Sequence, residues 1–259
     1  MATLILRLEY DGSSYHGWQS QPDMPNIQDK LESAIEKLTG RFTRITGAGR
    51  TDTGVHARGQ VATMPLHDGF TIPEDKIPIA LNSNLPPDIK ITDAQISRKE
   101  INARFDAAAR EYEYLLSADL NPFLRKYLSH YKYPFDPELL NEAAQLFLGT
   151  HDFSTYSKHN PEVTNHTCNL QICFWDNFRD DIFQTEIFRL KIKADRFLFS
   201  MVRALAGAML DHARGKVSLA GIKEALEAKN RNMASPLAPP QGLYLKKVYY
   251  PENLLTQKI

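Results

Sequence analysis

The sequence predicts an α+β fold, in which strands and helices are mixed rather than alternating as regular βαβ units. Two patterns carry this prediction. The segment Thr3–Tyr10 places apolar residues at every second position, which is typical of a half-buried strand, whereas Ile27–Leu38 repeats them at helical spacing. Further segments of both kinds follow in irregular order without a fixed-period repeat. Neither a doubly wound parallel sheet nor a solenoid is therefore indicated.

The composition is that of an ordinary globular protein. The chain has 259 residues, of which 42% are hydrophobic and 24% charged, so it is long enough for one large domain or two small ones and too apolar for a disordered protein. The 31 basic and 31 acidic side chains cancel. A globally basic nucleic-acid binder is not indicated, but a local basic groove remains open because net charge says nothing about distribution.

Cysteine usage and hydropathy indicate the compartment. Cys168 and Cys173 are too few for a disulfide scaffold or a four-cysteine zinc site, and we expect both to be core residues in a reducing environment. The first apolar stretch is short and contains Arg7 and Glu9, so we predict neither a signal peptide nor a membrane span. A cytoplasmic protein is expected.

In the first half of the chain, capping and turn residues delimit the elements. Asn26 is a favourable N-cap for the predicted helix, and Gly40 ends it. The further strands predicted in this half are Phe42–Thr46, Gln60–Met64 and Ile89–Ile96. The composition changes near residue 105, which divides the chain into predicted subdomains of residues 1–105 and 106–259.

The second half again mixes strands and helices. Asp136 and Pro137 are typical of a helix start, and Gly149 and Gly215 of helix ends. The predicted elements are the strand Arg110–Leu116, the helix Pro137–Leu148, the strands Leu170–Trp175 and Ile182–Lys193, the helices Leu198–Arg214 and Ser218–Lys229, and the strand Gly242–Tyr250.

The segment Thr46–Gln60 is the strongest candidate for chemistry. It combines four glycines with Arg50, Asp52, His56 and Arg58, a mixture that favours a functional loop over an idle turn. It lacks the Gly-Lys-Ser/Thr of a phosphate loop and the glycine spacing of a dinucleotide fingerprint. A hydrolase with Asp52 and His56 as an acid/base pair stays open, although no nucleophile elbow accompanies them.

Three other features have both a structural and a functional interpretation. Arg203 belongs to a stripe of the predicted 198–214 helix that is either a solvated face or a functional one. Tyr112 and Tyr114 share one strand face and either pack in the sheet or form a platform for a base. Two basic clusters either contact phosphates or are salt-paired surface: Arg41, Arg44, Arg50 and Arg58, and Arg98, Lys99, Arg104 and Arg110.

A metal site is not indicated by the sequence. His151, His159, His166 and Cys168 lie in one loop-rich region, but they lack the close cysteine spacing of a structural zinc site. We expect a polar loop there and no metal.

Several short motifs occur in a characteristic order along nearly the whole chain. They are Tyr10-Asp-Gly12, Tyr15-His-Gly-Trp-Gln19, Arg50-Thr-Asp-Thr-Gly-Val-His-Ala57 with Gly59-Gln-Val61, Asn82-Ser-Asn-Leu-Pro86, Ala103-Arg-Phe105, Arg110-Glu-Tyr-Glu-Tyr114, Asp152-Phe153, Phe197-Leu198, Met201-Val-Arg203 and Gly242-Leu-Tyr-Leu245. Together they resemble the tRNA pseudouridine synthase A family. The resemblance implies an α+β pair of similar subdomains with the active-site cleft between them.

The resemblance also implies roles for individual residues. Asp52 would be the essential catalytic aspartate, and Arg203 would pair with it and hold its carboxylate. Tyr112 would contact the target base, and Arg50 would help to admit the flipped nucleotide. From the basic clusters we further expect Arg58, Arg104 and Arg110 to bind RNA. The family acts as a homodimer on uridines 38, 39 and 40 of the tRNA anticodon stem-loop, without metal or cofactor.

The implied chemistry fits these residue types. Isomerising uridine breaks the C1′–N1 bond and rejoins the ring through C5, so no redox partner is needed. Asp52 could attack C1′ as a nucleophile or remove a sugar proton, and the sequence leaves both routes open. A base inside a helix must first be flipped into a pocket, which favours a cationic and aromatic lining. The rival interpretations are a non-catalytic RNA-binding module and the small-molecule hydrolase.

Overall fold

The computed structural model describes residues 2–67, 69–252 and 254. The strands, in chain order, are β1 (Thr3–Tyr10), β2 (Thr46–Gly47), β3 (His56–Pro65), β4 (Ile89–Ser97), β5 (Ala109–Ser117), β6 (Ser129–His130), β7 (Gly149–Asp152), β8 (Thr167–Asp180), β9 (Thr185–Ala194) and β10 (Leu243–Tyr249). The helices are α1 (Ile27–Thr39), α2 (Ile77–Asn82), α3 (Pro137–Gln145), α4 (Met201–Ala213) and α5 (Leu219–Ala228). The predicted mixed α+β class is confirmed.

The chain divides into two compact units, residues 1–108 with 244–259 and residues 109–243. The change of unit after Ala108 lies close to the predicted boundary at 105/106. The final segment, which the sequence placed with the second subdomain, groups with the first unit. The reason is that β10 pairs in parallel with β3, with Tyr244 opposite His56 and Leu245 opposite Ala57.

In the first unit the strand order is β4-β1-β3-β10, and β2 pairs with the far part of β3. Strand β1 is antiparallel to both of its neighbours. The alternation in β1 predicts a half-buried strand, but Ile5 on the second face is buried as deeply as Leu4 and Leu6. A central strand covered on both faces accounts for this difference, and only Arg7 and Glu9 retain partial exposure.

Two predicted boundaries in the first unit shift for identifiable reasons. The predicted strand Phe42–Thr46 shrinks to β2, because buried Glu32 of α1 accepts the backbone N–H of Ile45 at 3.1 Å and a guanidinium hydrogen of Arg44 at 2.9 Å. These bonds take a backbone donor that a longer strand would use. Strand β3 begins at His56, four residues before the predicted start at Gln60. Helix α2 was not predicted.

In the second unit the strand order is β5-β9-β8-β7, and β6 pairs in parallel with β5. Strand β8 extends well beyond the predicted Leu170–Trp175, and its register with β9 shifts between Leu170 and Ile172. Residues 176–180 are partly or fully exposed, so they show no apolar alternation, and this part of β8 is defined by its pairing with β9, from Asp176 opposite Arg189 to Asp180 opposite Thr185. Arg189 donates to both carboxylate oxygens of Asp176, at 2.9 and 2.8 Å, and lowers the pKa of that carboxyl to about 2.

Helix α4 is the most buried helix segment of the second unit, since all but one of its 13 residues are buried. The exception is Arg203 itself, which is partly exposed, whereas Gly207 on the same stripe is buried. The interpretation of this stripe as a solvated face is therefore wrong. Residues 236–238 cover that stripe: the Ala238 N–H donates to the Arg203 carbonyl at 3.0 Å, and Arg203 Nε donates to the Ala238 carbonyl at 2.7 Å. No helix among the described residues is long and apolar enough to cross a membrane.

Gly207 allows this close approach. A Cβ at that position would lie 2.1 Å from the carbonyl oxygen of Pro236, a backbone atom that cannot move aside cheaply. We expect Gly207→Ala to lower the free energy of unfolding by about 1–3 kcal/mol, the usual cost of overpacking. The urea midpoint, followed by tryptophan fluorescence, measures this change.

Gly221→Ala in helix α5 is the matched control. Its Cβ would meet only the flexible Val217 Cγ1, at 3.3 Å, and the Ser218 hydroxyl, at 3.4 Å. We expect its unfolding free energy to change by less than about 1 kcal/mol. Equal midpoints for Gly207→Ala and the parent protein would show that the 236–238 segment does not pack on α4 as described.

Candidate active site

Asp52 lies on a tight turn between β2 and β3. The backbone N–H of Val55 donates to the Asp52 carbonyl at 3.1 Å, which closes the turn immediately before β3 begins. The Asp52 side chain is partly exposed, whereas Thr51 and Val55 on either side of the turn are buried. The turn therefore combines a fixed backbone with a carboxylate that solvent reaches.

Residue Thr51, directly before Asp52, is fixed through both its backbone and its side chain. The N–H of Trp18 donates to the Thr51 carbonyl at 3.1 Å. The hydroxyls of Thr51 and Tyr10 form a buried hydrogen bond of 2.8 Å, and Tyr10 is the last residue of β1. The chain just before Thr51 is held as well, because the Gln60 side chain of β3 donates to the Gly49 carbonyl at 2.8 Å. The position of the Asp52 turn thus depends on strand β1 and on the residues that follow it.

Gly17 lets the segment after β1 approach this turn. Its φ is +86°, a conformation that favours glycine. A Cβ at Gly17 would also lie 2.4 Å from the Thr51 carbonyl oxygen, so any larger residue would push the two segments apart. One further bond joins them, because the Gly54 N–H donates to the Tyr15 carbonyl at 3.3 Å. The segment after β1, which contains the Tyr15-His-Gly-Trp-Gln19 motif, is therefore the support of the Asp52 turn.

His56 is a structural residue at the start of β3. Its ring is 2% exposed and stacks on Tyr244 with 4.8 Å between ring centroids. Nδ1 accepts the backbone N–H of Gly12 at 3.1 Å and lies 3.2 Å from Asp11 Oδ1. Nδ1 therefore lies between a backbone N–H donor and a carboxylate oxygen. Because the ring is enclosed in this way, the hydrolase interpretation of Asp52 and His56 loses its main support.

The predicted cationic residues of the first unit lie at its surface. Arg50 and Arg58 are exposed and flank the Asp52 turn in the sequence, two residues before it and two residues into β3. Arg104 is exposed on a separate turn that follows β4, where its guanidinium lies 5.4 Å from the centre of the Phe105 ring. The structure therefore places Arg50, Asp52 and Arg58 on one continuous segment.

The remaining predicted residues belong to the second unit. Tyr112 of β5 is 7% exposed, and its ring meets Phe197 edge to face with 5.1 Å between centroids. Arg110, two residues earlier, donates to the Asp195 carbonyl at 3.1 Å. Arg203 lies near Tyr114, where burial raises the pKa of the tyrosine hydroxyl and the positive charge of Arg203 acts in the opposite direction. Arg203 therefore acts on the Tyr114 hydroxyl through its charge, in addition to its hydrogen bond to the Ala238 carbonyl.

Metal ligation finds no support in the described part of the chain. No group of three or more histidine, cysteine, aspartate or glutamate side chains within residues 2–67, 69–252 and 254 could hold a metal ion. Cys168 and Cys173 are buried free thiols, and burial raises the pKa of each to about 12. The prediction that both cysteines are core residues is confirmed.

The sequence analysis assigned no role to the residues that support Asp52. Tyr10, Trp18 and Thr51 occur in the ordered motifs, but only their contacts reveal what they do. Two features of the sequence could have identified them. The alternation of β1 ends on Tyr10, a polar aromatic residue, and the glycine-containing segment that follows includes Trp18.

A family model described as "tRNA pseudouridine synthase" matches residues 8–106 and 143–251. The match includes the Asp52 turn, the segment that supports it, and helix α4 with Arg203.

Relatives named tRNA pseudouridine synthase A are similar over nearly the whole chain. The protein of Caldicellulosiruptor bescii is 37% identical over 252 residues, which cover 96% of this chain and 100% of the relative. That of Geobacillus sp. (strain WCH70) is 39% identical, covering 94% of this chain and 96% of the relative. That of Bacillus pumilus is 36% identical, covering 94% and 97%. This chain therefore belongs to the tRNA pseudouridine synthase family, isomerases that convert uridine in tRNA to pseudouridine.

Proposed function

We propose that this isomerase acts on uridines 38, 39 and 40 of the tRNA anticodon stem-loop, with Asp52 as its catalytic carboxylate. The observation that carries the proposal is the Asp52 turn: a partly exposed carboxylate on a backbone held by Tyr10, Trp18 and Val55. Enzymes place reacting groups on such preorganised backbone, because a group already in position loses no entropy when the substrate arrives. The position within the tRNA comes from the resemblance.

The reaction needs only proton transfers and one change of carbon–nitrogen connectivity. The C1′–N1 bond breaks, a C1′–C5 bond forms, the C5 proton leaves and N1 gains a proton. Asp52 supplies an oxygen that either attacks C1′ as a nucleophile or removes a sugar proton, and both routes remain open. The proposal therefore requires the carboxylate itself and no oxidant or reductant.

The neighbouring roles follow the resemblance. Arg203 would pair with the Asp52 carboxylate, Tyr112 would contact the target base, and Arg50 would help to admit the flipped nucleotide. Arg50 is suited to this role because it is exposed two residues from Asp52. Tyr112 offers a small exposed area, so it would meet the base over part of its ring. Base flipping into a lined pocket accounts for such a set of cationic and aromatic residues.

Partners and compartment complete the proposal. We expect Arg58, Arg104 and Arg110 to contact tRNA phosphates, and we expect a cytoplasmic homodimer. Arg58 and Arg104 are exposed. Arg110 also donates a hydrogen bond to the Asp195 carbonyl, so it has a structural role as well.

Replacing the carboxylate tests the central role. Asp52→Asn is nearly isosteric, but an amide serves neither as a nucleophile nor as a base. We therefore expect the rate of pseudouridine formation to fall by at least about 1000-fold. Affinity for tRNA should stay within a few-fold, because it depends on phosphate contacts and stacking. Site-resolved mapping of pseudouridine in a tRNA transcript and a filter-binding isotherm measure the two effects.

Asp93→Asn is the matched control for this substitution. Asp93 lies on strand β4 of the same unit. Its carboxylate is partly exposed and pairs with Arg7 at 3.7 Å. Its variant should retain parental activity. Near-parental conversion by Asp52→Asn, with the modification mapped to the same uridines, would remove Asp52 from the mechanism.

Substitution of Arg203 separates charge from packing. We expect Arg203→Met to lower kcat on the order of 100-fold with little change in KM, because the carboxylate loses the cation that orients it. Thermal stability should fall as well, since Nε donates to the Ala238 carbonyl. Gly207→Ala perturbs the same 236–238 segment without removing the charge, and its kcat should stay near the parent value. Equal kcat losses in both variants would make Arg203 a packing residue only.

The salt dependence of tRNA binding tests the phosphate contacts. Each neutralised phosphate contributes about one unit to the slope of log K against log salt concentration. We expect Arg58→Ala to reduce that slope by about one unit. Lys90→Ala, which removes an exposed cation that faces Glu9 at 3.6 Å, should leave the slope unchanged. A slope near zero for the parent protein would contradict electrostatic binding of tRNA altogether.

A further inference from the structure

The turn formed by residues 102–106 is unusually well fixed for a surface segment. The Asn102 side-chain oxygen accepts the N–H groups of Arg104, at 3.0 Å, and Phe105, at 3.2 Å. In return, Asp106 Oδ2 accepts the Asn102 N–H at 2.8 Å, and the Asp106 N–H donates to the Asn102 carbonyl at 3.1 Å. These four bonds satisfy the turn from within and restrain its backbone.

The same turn is also bonded to the sheet beneath it. Ala103 is fully buried, and its N–H donates to the Thr63 hydroxyl of β3 at 3.0 Å. Its carbonyl accepts the Tyr250 hydroxyl at 2.7 Å. Directly before the turn, the Ile101 N–H donates to the Thr3 hydroxyl of β1 at 3.1 Å. The turn therefore cannot rotate its outer residues inward.

Phe105 is held in solvent by this arrangement. Its side chain is 76% exposed, although burying a phenylalanine would stabilise the protein by about 1.5–3 kcal/mol. The Arg104 guanidinium lies 5.4 Å from the ring centre, close enough for a cation–π contact. A fixed backbone that presents an aromatic ring beside a cation is the arrangement that single-stranded nucleic-acid sites use for stacking a base.

The surroundings of Phe105 favour nucleic acid over a protein partner. Protein interfaces surround an aromatic residue with further apolar surface and few charges. Here its sequence neighbours are Arg104 and Asp106, and the segment that leads into the turn exposes Arg98, Lys99 and Glu100. An exposed ring whose neighbours in the sequence are mostly charged, with cations in excess, matches a base and the phosphates on either side of it.

We propose that Phe105 is a stacking site for an unpaired base of the tRNA, with Arg104 bound to an adjacent phosphate. This inference rests on the proposed function, since it takes tRNA as the substrate. The base is not the target uridine. The turn bonds to Thr63 and Thr3, whereas the Asp52 turn lies beside His56 and Tyr10, seven residues away along both strands. At about 3.3 Å per residue this separates the two turns by roughly 20 Å.

A remote stacking site has a distinct kinetic signature. Phe105→Ala should raise the Kd for tRNA about 5- to 100-fold, the usual range for one stacked base, and raise KM with it. At saturating tRNA, kcat should be unchanged. Phe105→Trp should restore the affinity, because any aromatic face stacks. The salt slope should not change with Phe105→Ala but should fall by about one unit with Arg104→Ala.

Two controls make the outcome decisive. Ile79→Ala removes another exposed apolar side chain of the first unit, 67% exposed, and should leave the affinity for tRNA unchanged. Sedimentation of Phe105→Ala should match the parent protein; a change of oligomeric state would show that the ring contacts protein and would overturn the proposal. Parental affinity of Phe105→Ala would also overturn it. If the parent protein itself neither binds nor converts tRNA, the proposed function fails first.

Discussion

The hydrogen bonds of Thr51 are the constraint on which the rest of the site depends. Trp18 bonds its carbonyl and Tyr10 bonds its hydroxyl, so the residue before Asp52 is tied to the end of β1 and to the turn-rich segment after it. Gly17 permits the approach, and His56 joins the same segment to the start of β3. In the role that we propose for Asp52, the carboxylate would act on a sugar carbon, and such a role needs fixed support because small misplacements are costly in rate.

The second unit applies a related principle to a positive charge. Helix α4 is covered on the Arg203 stripe by residues 236–238, and Arg203 Nε is bonded to the Ala238 carbonyl. One side of the guanidinium is thereby fixed to backbone. In both units, then, a side chain that we propose to be functional extends from a segment held by hydrogen bonds, which limits where its charged end can be. The 102–106 turn follows the same principle with an aromatic ring.

Sequence reasoning predicted the parts that depend on local pattern. The α+β class, the helix caps at Asn26 and Asp136, and the core position of both cysteines agree with the structure. It misjudged features that depend on distant residues: Glu32 accepts the backbone N–H of Ile45, pairing with β9 extends β8 to Asp180, and residues 236–238 cover α4. The roles of Tyr10 and Trp18 were missed for the same reason, since a hydrogen bond across 41 residues leaves no periodic signal.

The release of tritium from the C5 position of uridine in tRNA tests the central claim most directly, because the isomerisation must break the C5–H bond as well as the C1′–N1 bond. With a transcript labelled at C5, the intact protein should release tritium in proportion to the pseudouridine formed, without an added metal or cofactor, and free labelled uridine should release none. A folded protein that binds this tRNA but releases no tritium, or one that releases it equally from free uridine, would contradict the account.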